Sequence, residues 1–342
     1  MEKMRFGKTN LQVSKIAFGG IPIQRLSHAE AAKVVRGSIA LGVNFIDTAN
    51  GYTDSEEKIG SAIKGIPRES LVIATKSGAK DKKTYLEHVD LSLKRLGTDY
   101  IDLHQIHGVS TPEGYDAVFG EGGAFEGLQE AVRAGKVRYP AFSSHSIPLS
   151  LRIMREGKFA AVQLPLNYVD DEAAKEAVPL AKELDMGFIA MKPFGGGLLS
   201  DAALSMKYLA GFDGIVPDPG IEKLSEMEEI VRIMESGEKL SPEDIAAIEA
   251  MKQELGASWC HRCGYCLPCP QNIDISSVLV VESMIKRMPY SRVHSMSAER
   301  MESAGGCTDC RVCIGRCPYN LNIPRLIKEK IAVWDKYVAE NS

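Results

Sequence analysis

The cysteines are the residues whose spacing points most directly to chemistry. All eight lie between positions 260 and 317, and residues 1–259 contain none. They form two runs, C-x2-C-x2-C-x2-C-P and C-x2-C-x2-C-x3-C-P, in which three closely spaced thiolates can wrap one iron cube and a Cys-Pro pair ends the loop. This pattern predicts two [4Fe–4S] clusters with eight ligands, which are Cys260, Cys263, Cys266, Cys269, Cys307, Cys310, Cys313 and Cys317.

A repeat within this segment indicates how the ligands are shared. CPQNIDIS at 269–276 recurs as CPYNLNIP at 317–324, which is typical of a duplicated half-module. In two-cluster ferredoxins the fourth cysteine of each run ligates the other cluster. We therefore predict crossed ligation, in which Cys317 completes the first cluster and Cys269 completes the second. The first run is one residue shorter before its fourth cysteine, which departs from the ferredoxin spacing.

Zinc and free thiols are the alternatives to iron–sulfur clusters. A four-cysteine zinc site normally uses two C-x2-C pairs separated by a longer loop, which two triplets with terminal Cys-Pro do not resemble. His261 lies between two ligands, and a lone histidine there is more often a loop residue than a ligand. Confinement of cysteine to one segment also favours chemistry over core packing.

A second set of reactive side chains lies at the ends of strand-like runs. Asp47 and Lys76 close two such runs, Tyr52 follows the first, and His107 follows a third. Carbonyl reduction needs a hydride and a proton, and a buried lysine ammonium lowers the tyrosine pKa, ordinarily about 10, so that the phenol can donate. An aspartate keeps that lysine charged, and a histidine orients the carbonyl. Each residue alone could be structural, but the four together predict a catalytic site.

These residues can meet only if the strands that carry them end at one place. Helical patterns fill most gaps between apolar runs, which predicts an α/β (β/α)8 TIM barrel with its chemistry at the carboxyl ends of the strands. A doubly wound open sheet is the alternative, but the turn GGIPIQ lacks its G-x-G-x-x-G pattern. The eight predicted strands are 15–20, 43–47, 71–76, 100–106, 137–142, 160–166, 187–192 and 214–217.

The barrel and the cysteines predict two domains. We expect the barrel over residues 1–255 and a mainly helical, ferredoxin-like iron–sulfur domain over 256–342, in which 277–306 is a helical insert between the half-modules.

Of the 342 residues, 44% are apolar and 25% charged, and the net charge of −4 gives no indication of nucleic-acid or anionic-membrane binding. No apolar run approaches the roughly 20 residues of a membrane span. The start MEKMRFGKTN lacks a signal core, so we expect a cytoplasmic protein with reduced thiols.

Several motifs resemble the aldo-keto reductase family over roughly residues 3–235. They are DTANGY (47–52), ATK (74–76), DLHQIH (102–107), LSLKRLGTDYIDL (91–103) and EGLQEAVRAGKVRYPAFSSH (126–145). The start RFGKTNLQVSKIAFGG (5–20) resembles the hairpin that plugs the barrel floor in that family, and the cysteine segment resembles the dicluster ferredoxin-like tail of one branch. The resemblance implies that Tyr52 is the general acid, Lys76 and Asp47 its tuning pair, and His107 the group that orients the substrate.

The resemblance also implies a nicotinamide cofactor. The family places basic residues near Gly220 and Glu226 for the 2′-phosphate of NADPH, and its adenine-contacting Glu-Asn pair reads Glu229-Ile230 here. The segment PGIEKLSEMEEI (219–230) therefore favours NADH over NADPH, although Lys223 could compensate. Ser143, Ser144 and Gln163 match positions that hold the carboxamide, and MKPFGGGLLS (191–200) matches the loop over the pyrophosphate, with Lys192, Phe194, Gly195 and Gly196.

Two redox systems in one chain leave three functions open. In the first, a carbonyl or alcohol substrate reacts in the barrel and the clusters relay electrons to a ferredoxin-like partner. In the second, a nicotinamide-dependent carbonyl reductase carries purely structural clusters. In the third, the chain is an electron-transfer or regulatory module whose barrel binds nicotinamide without turnover, and the intact set of four residues argues against it. A hydride moves two electrons and a cluster moves one, and no flavin motif is visible to join them.

Overall fold

The computed structural model describes residues 1–341. The chain forms two compact units, one of residues 1–194 with 199–240, and one of residues 195–198 with those from 241 onward. Within residues 1–341, no helix combines the length and the apolar character needed to cross a bilayer.

The first unit is a barrel of eight parallel strands, which confirms the predicted fold and each of the eight predicted runs. The strands pair in chain order from β3 to β10, and a parallel bridge between Gly19 and Gly220 joins the last to the first. There Gly19 N donates to Pro219 O at 2.9 Å, and Ile221 N donates to Gly19 O at 3.1 Å. The strands are β3 (Ala17–Gly19), β4 (Phe45–Asp47), β5 (Val72–Ser77), β6 (Ile101–Ile106), β7 (Val137–Ser143), β8 (Ala161–Pro165), β9 (Gly187–Met191) and β10 (Ile215–Asp218).

A hairpin precedes the barrel and closes its floor. Strands β1 (Lys3–Arg5) and β2 (Gln12–Ser14) pair antiparallel with Met4 opposite Val13. Phe6 and Val13 are fully buried in one apolar cluster with inward-facing residues of all eight barrel strands. The amino ends of the strands are thus filled with hydrocarbon, so the opposite end is left for polar side chains.

Helices surround the strands, and their ends carry recognisable caps. The Ser27 hydroxyl and the Glu30 carboxylate form a capping box at the start of α1. Asp81 accepts from Thr84 N at 2.9 Å at the start of α3, which ends at Gly97 with φ +65°. The helices of this unit are α1 (His28–Ala40), α2 (Ser55–Ile63), α3 (Lys82–Leu96), α4 (Pro112–Phe119), α5 (Ala124–Arg133), α6 (Ile147–Arg155), α7 (Glu172–Lys175), α8 (Ala177–Glu183), α9 (Ala202–Ala210) and α10 (Leu224–Ser236), with 3-10 turns at Gly7–Thr9, Pro22–Arg25 and Arg68–Ser70.

The second unit is helical and has its own core. Cys266 and Cys313 are buried in that core together with Trp334 and aliphatic side chains. Ser283 Oγ donates to Gly196 O at 3.0 Å, which ties the short segment 195–198 into the unit. The sequence-based division assigns α11 to the barrel domain, whereas the structure groups it with the second unit. The helices are α11 (Pro242–Gly256), α12 (Ile275–Leu279), α13 (Val281–Ile285), α14 (Tyr290–Ala304), α15 (Val312–Arg316) and α16 (Ile323–Asn341).

Candidate active site and cysteine centre

A buried ion pair lies at the carboxyl ends of β4 and β5. Lys76 Nζ donates to Asp47 Oδ2 and, at 2.7 Å, to Thr48 O. Both side chains are about 3% exposed. β4 and β5 are adjacent and parallel, with Asp47 opposite Ala74, so the strand register brings the carboxylate and the ammonium to the same end of the barrel.

Tyr52 and His107 lie beside this pair. The Tyr52 and His107 rings meet edge to face with centroids 6.0 Å apart, and Lys76 Nζ lies 5.2 Å from the Tyr52 ring centroid. Backbone bonds fix both loops, because Tyr52 N donates to Ala49 O and His107 N donates to Ser77 O, each at 2.9 Å. The structure therefore brings together all four side chains that strand-end positions indicated.

Three further polar residues complete the site, and the sequence analysis missed two of them. Gln105 Nε2 donates to Asp47 Oδ1 at 3.2 Å. Gln163 Nε2 lies 3.3 Å from Asp47 Oδ2 and 2.9 Å from Asp218 Oδ2. Gln105 shares the inward-facing alternation of β6 with Leu103, and Asp218 is an acid that ends the apolar run IVPD. Those two signals could have identified them.

The charges of this site act on one another. Burial alone would lower the pKa of Lys76, but attraction to Asp47, Tyr52 and Asp218 outweighs it, so the pKa of Lys76 lies above its ordinary value. Burial, and next the repulsion from Asp47, raise the pKa of Asp218 well above that of an ordinary carboxyl. Lys76 therefore stays an ammonium, and Asp218 favours its neutral form.

The residues predicted to hold the nicotinamide carboxamide lie at neighbouring strand ends. Ser143 ends β7, where its Oγ accepts from Gly108 N at 3.0 Å. Ser144 Oγ lies 3.3 Å from Ser110 Oγ. Gln163 Oε1 is buried, and among the described residues it has no hydrogen-bond partner. Because Gln163 directs its amide nitrogen at the carboxylates, that oxygen is left to accept a hydrogen bond from an amide group of a ligand.

The predicted pyrophosphate loop is divided between the two units. Lys192 and Phe194 belong to the first unit, and Gly195 and Gly196 belong to the second. Lys192, Gly195 and Gly196 have φ of +59°, +56° and +72°. Only glycine adopts such angles without strain, so the two glycines suit the turn, whereas Lys192 is strained.

The amino end of α10 is occupied by a carboxylate. Glu226 Oε2 accepts from Glu222 N at 2.8 Å and from Lys223 N at 3.0 Å. Gly220 forms the bridge that closes the barrel, and Glu229 is exposed on α10. Glu226 therefore binds the amides of the two residues that precede the helix, and it places a negative charge at the helix start, where an anion would otherwise be favoured.

The cysteines of the two runs come together in the second unit. One cavity is lined by Cys269 together with Cys307, Cys310 and Cys313. The pKa of Cys260 is raised, first by burial and also by the nearby Cys263 and Cys317 thiols.

Buried thiols of this kind fit iron. Burial, with repulsion from Cys260 and Cys263, raises the pKa of Cys266 to about 12, so its thiolate forms only with a compensating cation. Within residues 1–341 no three His, Cys, Asp or Glu side chains converge on one point suited to a single metal ion. A cubane takes one cysteine at each of its four irons, so its ligands do not need to converge.

Comparison with known families agrees with this geometry. The model of the aldo/keto reductase family matches residues 15–214, more than half of the chain. The chain belongs to the aldo/keto reductase family. A second model, the 4Fe-4S dicluster domain, matches residues 259–322, which include all eight cysteines. This aldo/keto reductase thus carries a C-terminal 4Fe-4S dicluster domain, as the two sets of motifs predicted.

Curated relatives of this aldo/keto reductase match its barrel. A probable aldo-keto reductase of Glycine max is 30% identical over 215 residues, which are 58% of this chain and 60% of that protein. An uncharacterized oxidoreductase of Bacillus subtilis is 28% identical over 218 residues, 60% of this chain and 68% of that one. L-galactose dehydrogenase of Arabidopsis thaliana is 27% identical over 219 residues, 59% and 68% of the two chains. The matched segments therefore cover between 60% and 68% of these relatives.

Solved structures share the barrel fold. The holo form of an aldo-keto reductase from Bacillus halodurans has a TM-score of 0.64 and 24% identity, and the match covers 73% of this chain and 96% of that one. An aldo/keto reductase from Klebsiella pneumoniae in complex with NADP and acetate has a TM-score of 0.60 and 20% identity, with 73% and 95% covered. At these identities the likeness establishes the fold.

Proposed function

We propose that this aldo/keto reductase reduces a carbonyl compound, or oxidises the matching alcohol, with a nicotinamide cofactor, and that two [4Fe–4S] clusters exchange electrons with a ferredoxin-like partner. The observation that carries the proposal is the gathering of Asp47, Tyr52, Lys76 and His107 at one end of the barrel. A module that only sensed nicotinamide would not need a phenol beside a buried ammonium.

Each of the four residues has a role in this chemistry. When bound, the nicotinamide supplies or accepts the hydride. The Tyr52 hydroxyl donates the proton to the carbonyl oxygen, and the Lys76 ammonium stabilises the phenolate that remains. Asp47 holds Lys76 charged and directed. His107, edge-on to Tyr52, orients the carbonyl oxygen.

The residues around the site fit a nicotinamide. The buried Gln163 Oε1 suits the carboxamide NH2, and Ser143 and Ser144 lie at the neighbouring strand end. The Klebsiella pneumoniae relative in the fold comparison is a complex with NADP. In this chain, however, Glu226 puts a carboxylate at the amino end of α10. Like charge opposes a 2′-phosphate there, so we propose that NADH is preferred.

The cysteine geometry supports crossed ligation of the two clusters. Cys269 of the first run lines a cavity with the triplet of the second run, Cys307, Cys310 and Cys313. Cys317 of the second run acts electrostatically on Cys260 of the first. We therefore assign Cys260, Cys263, Cys266 and Cys317 to one cluster and Cys269, Cys307, Cys310 and Cys313 to the other.

The surface of the cysteine loops supports exchange with a partner. Cys310 is exposed. Tyr265, Leu267 and Val312 are three of the few large apolar side chains that are exposed in the described chain, and all three lie within the cysteine runs. The runs also carry three arginines, Arg262, Arg311 and Arg316, but only one acidic residue, Asp309. This positive excess suits binding of an acidic one-electron carrier.

A structural role for the clusters is the second candidate, and the core of the second unit favours it. Cys266 and Cys313 are both buried in that core with its aliphatic side chains. Removal of the iron would leave these thiols and their neighbours without the centre around which they pack. The two roles are compatible, but only the relay predicts electron transfer to an external acceptor.

The decisive experiment is an anaerobic assay of nicotinamide oxidation with a panel of carbonyl compounds. Tyr52→Phe is expected to lower kcat by about 10²–10⁴-fold, because the proton donor is lost, with the dissociation constant of the nicotinamide unchanged. Tyr139→Phe is the matched control, since its hydroxyl donates to Thr9 O in the floor hairpin. Full turnover by Tyr52→Phe would refute the proposed chemistry.

The electron-relay part needs a separate assay. Reduced viologen replaces the partner as a one-electron donor, and Cys263→Ser is compared with the unchanged protein. The relay is supported if Cys263→Ser loses the turnover driven by reduced viologen but keeps the turnover driven by the nicotinamide. Equal viologen-linked rates in the two proteins would leave the clusters a structural role only.

A further inference from the structure

Asp218, the last residue of β10, has no role in the mechanism above although it lies within the site. Its side chain is buried, and Oδ2 accepts from Gln163 Nε2 at 2.9 Å. The other oxygen, Oδ1, is buried without a hydrogen-bond partner among residues 1–341. An anionic oxygen left without a donor in the interior costs more free energy than the same oxygen in a protonated carboxyl. The surroundings of Asp218 therefore suit a neutral acid.

Asp218 is linked to the catalytic ion pair. Gln163 Nε2 lies between the two carboxyl groups, 3.3 Å from Asp47 Oδ2 and 2.9 Å from Asp218 Oδ2. Asp47 also accepts from Lys76 and Gln105. The Asp47 carboxylate, held by Lys76, therefore opposes ionisation of the buried Asp218 beside it.

The groups that face Asp218 can be enumerated by element. β4 contributes Asp47, β5 contributes Lys76, and Tyr52 follows β4. β8 contributes the neutral Gln163, and β3 contributes Gly19, on which a Cβ would lie 2.9 Å from Asp218 Oδ1. The next charged residues along the chain on the neighbouring elements are Lys192 after β9 and Glu222 after β10, and Glu222 is paired with Arg25.

We propose that Asp218 is a positioning residue that holds a proton beside the ion pair of Asp47 and Lys76 and thereby sets the net charge beside Tyr52. This proposal rests on the carbonyl chemistry proposed above. When Asp218 carries the proton, the negative charge of Asp47 and the positive charge of Lys76 cancel. When the proton leaves to solvent, the group of three becomes net negative and opposes ionisation of Tyr52. Tyr52 then keeps its proton to higher pH, which favours carbonyl reduction over alcohol oxidation.

The protonation state can be tested without turnover. The anaerobically prepared holoprotein is labelled with ¹³C-aspartate and followed by infrared spectroscopy across pH. The carbonyl stretch of a protonated carboxyl is expected at neutral pH, and it should disappear in Asp218→Asn. The exposed Asp213, just before β10, gives the matched control Asp213→Asn, which should keep the band. Absence of the band from the unchanged protein would overturn the proposal, even if the variant failed to fold.

The consequence for Tyr52 is tested by the pH profile of kcat/KM for carbonyl reduction. In Asp218→Asn the amide cannot become negative, so the basic limb should move to lower pH by about one unit. A basic limb that stays in place would overturn the proposal, whereas Asp213→Asn should leave the limb unchanged. If no carbonyl compound is reduced at all, the carbonyl chemistry fails, and the infrared result still decides whether Asp218 holds the proton.

Discussion

At the residue scale, the candidate site joins side chains of adjacent strands to one side chain of the last strand of the barrel. Asp47 and Lys76 end adjacent parallel strands, and the order of the runs in the sequence is enough to bring them together. Asp218 also ends a run, but its approach to Asp47 depends on closure of the barrel through the bridge between Gly19 and Gly220. That closure joins the first and last strands, and the predicted last strand, 214–217, stopped one residue short of Asp218.

The buried ion pair gives a prediction for stability. Lys76→Met should lower the free energy of unfolding by about 3–5 kcal/mol at pH 7, since Asp47 then stays buried without its counter-charge. The raised pKa of Lys76 means that its contribution is complete below the unfolded lysine pKa of about 10.4 and is lost as pH rises through the higher folded value. The difference in the free energy of unfolding between the unchanged protein and Lys76→Met should therefore not change near neutral pH through ionisation of Lys76. It should decline only in strong alkali.

The measurement is chemical denaturation followed by circular dichroism, because both tryptophans lie in the second unit and do not report on the barrel. Lys83→Met is the matched control. Lys83 and Glu87 form an exposed pair at 4.0 Å, and such pairs contribute about 0–1 kcal/mol. Equal effects of the two substitutions would contradict the prediction.

At the scale of elements, the apolar runs and the helical patterns between them predicted all eight strands. They did not predict that the glycine-rich segment after His107 forms α4 and part of α5. They also placed α11 in the barrel, because its apolar positions do not reveal which core receives them. The end of a helix could be predicted only where the sequence shows a capping motif. The position of the Glu226 carboxylate at the start of α10 follows from its two backbone donors, which only the structure identifies.

That helix end predicts cofactor preference. Glu226→Gln keeps an oxygen for the two backbone donors but removes the negative charge. The dissociation constant for NADPH should fall about fivefold relative to that for NADH, since a charge at a helix start is worth up to roughly 1 kcal/mol. Titration of both nucleotides measures it, with the exposed Glu228→Gln on the same helix as control. Tighter binding of NADPH than NADH by the unchanged protein would rule out the preference.

At the scale of the whole molecule, the cysteine spacing was enough to predict a dicluster segment, because a ligand loop is a local feature of sequence. The pairing of the runs depends on how the two half-modules fold onto each other. In the structure, Arg316 Nη1 donates to Pro268 O at 2.9 Å, and the rings of His261 and Tyr319 stack at 3.8 Å, so both contacts join one run to the other. These contacts place each fourth cysteine near the opposite triplet.

Crossed ligation predicts the outcome of paired substitutions. Replacing Cys269 and Cys307 with alanine should remove one cluster and half of the iron, since both belong to the same site. Replacing Cys269 and Cys260 should remove both clusters. Iron analysis and electron paramagnetic resonance of the dithionite-reduced proteins distinguish the cases. The reverse result, with the second pair retaining half of the iron, would show that each run ligates its own cluster.

The second unit draws on two stretches of chain, because residues 195–198 join it through the bond from Ser283 to the Gly196 carbonyl. There is no room for a side chain at that glycine, on which a Cβ would lie 2.2 Å from Ser283 Oγ. An engineered graft of the C-terminal segment onto another barrel would therefore carry only part of the unit. A working chimera has to inherit the glycine loop as well, so the cassette to be transplanted is discontinuous in the gene.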